Sequence, residues 1–288
     1  MCISPTNLPN GQLVACRKCW QCEERIIDDW VGRCIAEKKS SRKAHSVTLT
    51  YGRDENGSPD HLRAAVLTYS DVQTYIKLLR KHGYPCRYFA VGEYGSKKQR
   101  THWHLLIFWQ ENHPPLEKLG ARIIEEHWPH GKSFYENVYP ETIRYVCKYI
   151  LKDKGTYQSH LAMSKKPPLG HDHFMKLAAR YVKQGIAPQN LAYSFGDVIK
   201  HGRKKKFMMS GKTATNFLRE FVALWKKHRP DQHIPESELV EDYIDRESEA
   251  FDWEPIGNPG PYDRERQRKM READFEAYQK GKENGEQL

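Results

Sequence analysis

Apolar residues recur along this chain with two periods, one typical of helices and one typical of strands. Helical spacing predicts a first helix over residues 22–39, whose apolar face is formed by Ile26, Ile27, Trp30, Val31, Cys34 and Ile35,. A β-branched run predicts a strand at 45–51, and a second helical pattern covers 71–82,. Two further strand-like runs, 86–94 and 101–109, are separated by a short polar segment that suits a hairpin,.

The pattern after residue 110 completes a recognisable order of elements. It predicts a helix at 116–127, a strand at 133–138 and a helix at 141–153,. The resulting order, β-α-β-β-α-β and then a helix, is the ferredoxin-like arrangement, which RRM-like domains share. We therefore expect an α+β fold in which helices cover one face of an antiparallel sheet and a substrate can reach the other.

Composition divides the chain into further parts. Helices are predicted at 173–184 and 213–228, with an irregular basic stretch at 201–207 between them,. An exposed helix is also predicted at 263–281. We expect a Cys-rich arm and helix at 1–40, the α+β core at 41–157, a helical and basic extension at 158–230, and an acidic, flexible tail at 231–288.

Charge is unevenly distributed between the tail and the rest of the chain. The formal net charge is +10, but residues 231–288 contain 17 acidic and 8 basic side chains, which leaves +19 on residues 1–230. Such a positive body indicates a polyanionic partner, most commonly nucleic acid, although a solvated basic surface has the same composition. The chain has no apolar run of about 18 residues and no signal-peptide pattern, so we expect a cytosolic protein without a membrane partner.

Two histidines in the predicted strand 101–109 are candidate metal ligands. Side chains alternate between the faces of a strand, so His102 and His104 project from one face, about 7 Å apart along it. Trp103 and the alternate apolar residues after it are expected on the opposite, helix-covered face,. A pair of surface histidines without a metal is the alternative interpretation.

Glu93 makes the metal interpretation more specific. If the hairpin turns at Lys97–Lys98, Glu93 lies directly across from His102, with the two Cβ atoms about 5 Å apart,. Two imidazoles and one carboxylate, with coordination positions left open, suit catalytic Mg²⁺ or Mn²⁺ acting as a Lewis acid on a phosphate.

Tyr145 and Tyr149 are candidate nucleophiles in the predicted helix 141–153. Residues four apart lie on one helix face, and Lys148 and Lys152 are close to it,. A phenol has a pKa of about 10, so a nearby cation is needed to stabilise the attacking phenolate. Attack on a phosphodiester would leave a 5′-phosphotyrosine and a free 3′-OH. Packing of both tyrosines in the core is the alternative interpretation.

These segments resemble, in order and spacing, the three motifs of HUH endonucleases. The closest resemblance is to the replication initiators of microviruses, small single-stranded DNA phages, and it covers about residues 1–215. It implies that His102, His104 and Glu93 bind the metal, that Tyr145 and Tyr149 alternate as nucleophiles, and that Lys148 and Lys152 assist. Trp103 between the histidines and Thr101 before them depart from the family pattern without removing a ligand.

The resemblance also implies the biological setting. Such a protein would nick one origin on the double-stranded replicative form and bind single-stranded DNA in the cytoplasm of the host bacterium. It would rejoin the displaced strand after each round, and a host helicase is a candidate partner. A relaxase, a single-strand transposase and a non-catalytic single-stranded nucleic-acid-binding protein are the alternatives.

Clustered cysteines and basic residues lie outside these motifs. Cys16, Cys19 and Cys22 form a CxxCxxC motif that predicts structural Zn²⁺, with Cys2 as the fourth ligand,. Cys34 is the rival fourth ligand, and reduced thiols without metal are the alternative. Six basic residues in two segments are expected to contact DNA phosphates: Lys165, Lys166, Arg203, Lys204, Lys205 and Lys206,.

Overall fold

The computed structural model describes residues 2–9, 11–52, 66–95, 100–116, 118–151 and 160–252. The first elements are β1 (Thr6–Asn7), β2 (Leu13–Val14), α1 (Trp20–Ser40), β3 (Lys43–Tyr51), α2 (Tyr69–Lys81), β4 (Cys86–Tyr94) and β5 (Thr101–Trp109). They are followed by β6 (Arg122–Ile123), β7 (Gly131–Asn137), α3 (Pro140–Lys148) with a 3-10 turn at Tyr149–Leu151, and β8 (His160–Met163). The remaining elements are α4 (His171–Gln184), β9 (Ala192–Lys200), β10 (Arg203–Met208), α5 (Gly211–His228) and α6 (Glu238–Asp252).

Six strands form one antiparallel sheet in the order β6-β7-β3-β5-β4-β8. The long central strands β3, β4 and β5 are each nine residues, and β4 and β5 have the bounds expected from the sequence. The expected α+β class with an antiparallel sheet is therefore confirmed.

Alternation along β5 decides which side chains each face of the sheet receives. Trp103, Leu105, Ile107 and Trp109 are fully buried in one cluster with Val72, Tyr75, Ile76 and Leu79 of α2, as the sequence predicted,. The second face is partly covered, because α1 places the ring of Trp30 5.4 Å from that of Phe89 on β4. α3 joins α1 through ion pairs from Arg144 to Glu24 and Asp28.

The prediction of a helix at 116–127 is wrong. This segment contains turns and the two-residue strand β6, and Gly120 has a φ of +76°, which ends any helix there,. Tertiary contacts hold the rest, because Glu125 accepts hydrogen bonds from Ser133 (2.5 Å) and Tyr135 (3.1 Å). Helical periodicity in the sequence was therefore overridden by side chains that turn toward the sheet.

The basic stretch 201–207, predicted to be irregular, belongs to a β-hairpin. β9 and β10 pair around His201 and Gly202, whose φ values of 51° and 72° suit a two-residue turn,. Lys204 and Lys206 are exposed on β10, whereas Phe207 is buried.

The chain divides into two compact units, residues 1–236 and the residues from 237 onward. Helix α6 belongs to the acidic segment of the second unit, and the helix predicted at 263–281 lies outside the described residues. Among the described helices, none has the length and apolar character needed to cross a membrane.

Candidate active site

Glu93, His102 and His104 converge on one face of the sheet. The register pairs Glu93 with His102 across β4 and β5, as the sequence predicted, and places His104 beside Val91. Glu93 Oε1 lies 2.6 Å from His102 Nε2 and 3.2 Å from His104 Nε2. The Glu93 carboxylate is only 3% exposed. The two imidazoles therefore face a buried charge that needs a partner.

Contacts behind the histidines orient their rings. His104 Nδ1 lies 3.3 Å from the hydroxyl of Thr48, and His102 Nδ1 lies 3.2 Å from the backbone oxygen of Arg100. In both rings Nε2 is thus the nitrogen that faces Glu93. The three ligand atoms lie within 4.8 Å of one another. A mixed nitrogen and carboxylate set of this size fits a divalent cation.

The two tyrosines lie directly beside this triad. The Tyr149 ring stacks on the His104 imidazole, with centroids 4.5 Å apart and planes inclined by 10°. The ring of Tyr145 meets that of Tyr149 edge-on at 5.1 Å, and their hydroxyls are hydrogen-bonded to each other. Tyr145 is 55% exposed. The phenols therefore face the candidate metal ligands and lie outside the hydrophobic core.

The environment of Tyr149 disfavours its phenolate. Burial, the hydrogen bond from Tyr145 and the charge of Glu93 raise the pKa of Tyr149 above its ordinary value,. Ionisation at neutral pH therefore needs additional positive charge at this site. Lys148 is exposed at the end of α3, and Lys152 lies outside the described residues.

A groove that sequence reasoning missed runs beside the triad. It has a volume of about 1090 Å³, and its lining includes His102 and His104 together with the basic side chains of Arg100, Arg122 and Lys132. Cross-strand pairing brings Lys132 opposite Thr50. These basic residues occupy separate segments with no common spacing, so only the sheet order brings them together.

The four cysteines of the predicted zinc site are gathered at the start of α1. The sulfurs of Cys2, Cys16, Cys19 and Cys22 all lie within 4.8 Å of one another and form a group that could hold a metal. Hydrogen bonds from the backbone of Ile3 and Cys22 lower the pKa of the Cys19 thiol to about 6,.

The rival ligand Cys34 is fully buried on α1. Burial and the neighbouring Cys147 raise the pKa of the Cys34 thiol. This environment is that of a packed core thiol.

The predicted DNA-contacting residues have different surroundings. Lys165 and Lys166 are exposed before the cis Lys166–Pro167 bond, and Arg203, Lys204 and Lys206 are exposed on β10. Lys205 instead forms an ion pair with Asp28 of α1 at 2.5 Å. Of the six residues, Lys205 is therefore the one engaged within the protein.

Comparison with known proteins finds relatives among phage replication proteins. Residues 44–154 match a family model described as a replication-associated protein of the ORF2 type. The chain is 27% identical over 208 residues to Replication-associated protein ORF4 of Chlamydia phage 1, which covers 62% of this chain and 51% of that protein. It is 29% identical over 168 residues to Replication-associated protein VP4 of Bdellovibrio phage phiMH2K, which covers 50% of each.

A third relative, Replication-associated protein ORF2 of Spiroplasma virus 4, is 29% identical over 198 residues, with 59% of this chain and 60% of that protein covered. The chain thus spans about half to three-fifths of the length of these relatives. No solved structure matches it. The chain is a microvirus-like relative of phage replication-associated proteins, as its motifs predicted, and residues 44–154 carry the part that matches the family model.

Proposed function

We propose that this chain is a replication initiator that nicks single-stranded DNA at an origin through a tyrosine and later rejoins the displaced strand. The observation that carries the proposal is the position of the Tyr145 and Tyr149 phenols beside the Glu93, His102 and His104 triad. A protein that only binds nucleic acid does not need this combination of groups. It would use stacked aromatics and basic side chains alone.

The proposed reaction is a transesterification. A tyrosine oxygen loses its proton and attacks phosphorus, the P–O3′ bond breaks, and the leaving oxygen takes a proton to become a 3′-OH. The 5′ end of the cut strand stays on the protein as a phosphotyrosine. Because one phosphodiester replaces another, a 3′-OH can attack the phosphotyrosine and rejoin strands without ATP.

Glu93, His102 and His104 are the residues that would hold Mg²⁺ or Mn²⁺. When bound, such an ion withdraws electron density from an oxygen of the scissile phosphate and offsets the charge that develops there. Tyr149 benefits most from added positive charge, because its present surroundings raise the pKa of its phenol.

Two adjacent tyrosines allow one to hold a cut end while the other makes the next cut. Their hydroxyls already share a hydrogen bond, so both oxygens lie at one place. The exposed ammonium of Lys148 on the same helix would approach the phosphate as an electrostatic aid, and we assign the same role to Lys152. The hydrogen-bonded pair argues for this mechanism over that of single-strand transposases, which use one catalytic tyrosine.

The substrate strand is proposed to enter through the basic groove. Arg100, Arg122 and Lys132 line it and would neutralise phosphates next to the triad,. Five further exposed side chains are proposed phosphate contacts outside the groove: Lys165, Lys166, Arg203, Lys204 and Lys206. Lys205, paired with Asp28, is expected to contribute least of the predicted set.

Two accessory assignments complete the proposal. Cys2, Cys16, Cys19 and Cys22 would hold a structural Zn²⁺ that fastens the N-terminal arm to α1. The protein would act on the origin of the double-stranded replicative form in the cytoplasm of the host bacterium, with a host helicase as a candidate partner.

An adduct assay tests the proposed chemistry. Labelled single strands tiled across the genome that encodes this chain are incubated with the protein and Mn²⁺, and the products are separated in denaturing detergent. We expect a labelled band at the size of the protein. That band should be lost in the double variant Tyr145→Phe/Tyr149→Phe.

Tyr139→Phe is the matched control, because Tyr139 is an exposed phenol at the start of the same helix, 58% exposed. The adduct should survive this change. Tight binding of the strands without any detergent-resistant band would favour a non-catalytic binding protein.

A further inference from the structure

A second group of potential metal ligands lies away from the candidate active site. His82 directly follows α2, and Glu126 and His127 belong to the segment between β6 and β7. His82 Nδ1 lies 3.0 Å from His127 Nε2, and Glu126 Oε1 lies 3.5 Å from each of these nitrogens. One oxygen and two nitrogens thus form a closed triangle.

The size of this triangle matches a small transition-metal ion. A point equidistant from all three atoms in their plane is about 1.9 Å from each, slightly less than the 2.0–2.1 Å of a Zn–N bond,. An ion displaced by less than about 1 Å from the plane would meet all three atoms at bonding distance, as in a tetrahedral site with its fourth position open. Hydration favours that open position, because Glu126 is 73% exposed.

A carboxylate lies behind the buried histidine. His127, 5% exposed, has its other ring nitrogen, Nδ1, 3.7 Å from Glu125 Oε2. Glu125 is itself held by hydrogen bonds from Ser133 and Tyr135. A carboxylate behind a histidine that faces a metal is a recurrent support in zinc sites, since it fixes which nitrogen points to the ion.

This group is on the opposite face of the sheet from Glu93 and the tyrosines. Tyr135 lies in the buried cluster with α2 and pairs with Val47 of the same cluster. The group therefore shares no ligand with the proposed catalytic centre.

We propose that His82, Glu126 and His127 form a binding site for a divalent transition-metal ion of the zinc class. Imidazole nitrogens favour such ions over Mg²⁺ and Ca²⁺, which prefer sets of oxygen ligands. The bound ion would fasten the end of α2 to the segment 124–130. Ile124, Pro129 and His130 of that segment line the basic groove, so the site would stiffen one wall of it. This inference does not depend on the proposed nicking reaction.

Zinc content tests the proposal. The full chain is incubated with Zn²⁺, passed over a desalting column, and analysed for bound zinc per chain. His82→Ala and Glu126→Ala should each bind one zinc fewer than the unchanged protein. The rise in melting temperature on adding Zn²⁺ should shrink in both variants.

The matched control is His228→Ala, because His228 is an exposed histidine at the C-terminal end of α5, as His82 is at the end of α2. It should retain the zinc content of the unchanged protein. Equal zinc content and equal thermal shifts in all four proteins would overturn the proposal and leave a plain hydrogen bond between His82 and His127. Glu126 keeps the test decisive if His82→Ala folds poorly, since Glu126 is too exposed to support the core.

Discussion

The ring of Tyr149 lies flat against the imidazole of His104, with 4.5 Å between the centroids. This contact joins the last turn of α3 to the centre of β5. It also gives one residue pair two roles, because His104 is a candidate metal ligand and Tyr149 a candidate nucleophile. Changes that tilt the His104 ring are therefore expected to affect both the metal and the reacting phenol.

Thr48→Val tests how the His104 ring is held. Without the hydroxyl that lies 3.3 Å from Nδ1, the ring loses its orienting partner. We expect about 10-fold weaker Mn²⁺ binding, measured as the Mn²⁺ concentration that gives half-maximal nicking.

Thr50→Val is the control for this change. Thr50 lies two residues further along β3, and its hydroxyl donates to the Lys132 backbone oxygen instead of contacting a histidine. An equal Mn²⁺ requirement in both variants would show that Thr48 does not position His104.

Cys19→Ser tests the four-thiolate cluster. If the cluster holds Zn²⁺, the variant should lose one zinc per chain, and its melting temperature should fall because metal binding contributes to folding. Cys86→Ala is the comparison, since Cys86 is a buried thiol outside the cluster. It should keep its zinc. Zinc content that is unchanged in Cys19→Ser would favour reduced thiols without metal.

Stability is expected to fall in mild acid because of His45. This residue is fully buried and accepts a hydrogen bond from Trp109 Nε1 at Nδ1, 2.9 Å away. Burial and the nearby charges of His113 and Lys43 lower the pKa of His45 from 6.5 to about 4. The unfolded chain therefore takes up this proton first as the pH falls.

The His45 contribution is complete above about pH 6.5 and is lost progressively toward pH 4, up to about 3 kcal/mol,. Urea unfolding at pH 7 and pH 5 measures it. The difference between the two pH values should be smaller in His45→Asn, and unchanged in His228→Asn. Identical pH dependence in His45→Asn would refute the assignment.

Gly32 allows the β9–β10 hairpin to approach α1. A Cβ at this position would lie 2.1 Å from the hydroxyl oxygen of Tyr193. Gly32→Ala should therefore lower the free energy of unfolding by about 1–3 kcal/mol, despite the better helix propensity of alanine.

Tyr193→Phe should reduce the cost of Gly32→Ala, because it removes the clashing atom. The cost should not vanish, since the Tyr193 ring carbon and Phe207 would remain 3.0 and 3.1 Å from the new Cβ. Chemical denaturation of the four proteins in this cycle measures the coupling. Additive effects of the two changes would mean that the hairpin does not pack as described.

The sequence was most informative where a periodic pattern and local pairing determine the geometry. Alternation in 101–109 identified both faces of β5, and the hairpin register placed Glu93 opposite His102. Both depend on residues close together in the chain. The helix predicted at 116–127 failed because Glu125 hydrogen-bonds to β7, a contact that periodicity does not encode.

Long-range groupings were beyond the sequence. His82 and His127 are 45 residues apart, and neither lies in a recognisable metal-binding spacing. Arg100, Arg122 and Lys132 likewise meet only because the sheet order brings their segments to one groove. Such sites require the fold before they can be recognised.

Peptide mass spectrometry of the covalent adduct tests the central claim most directly. Trypsin cleaves after Arg144 and Lys148, so it separates Tyr145 and Tyr149 into different peptides, YVCK and YILK. After nuclease trimming of the trapped DNA, we predict a nucleotide mass on one or both of these peptides, attached through the tyrosine. A nucleotide attached to any other residue, or cleavage of the strand with no attachment at all, would contradict the account.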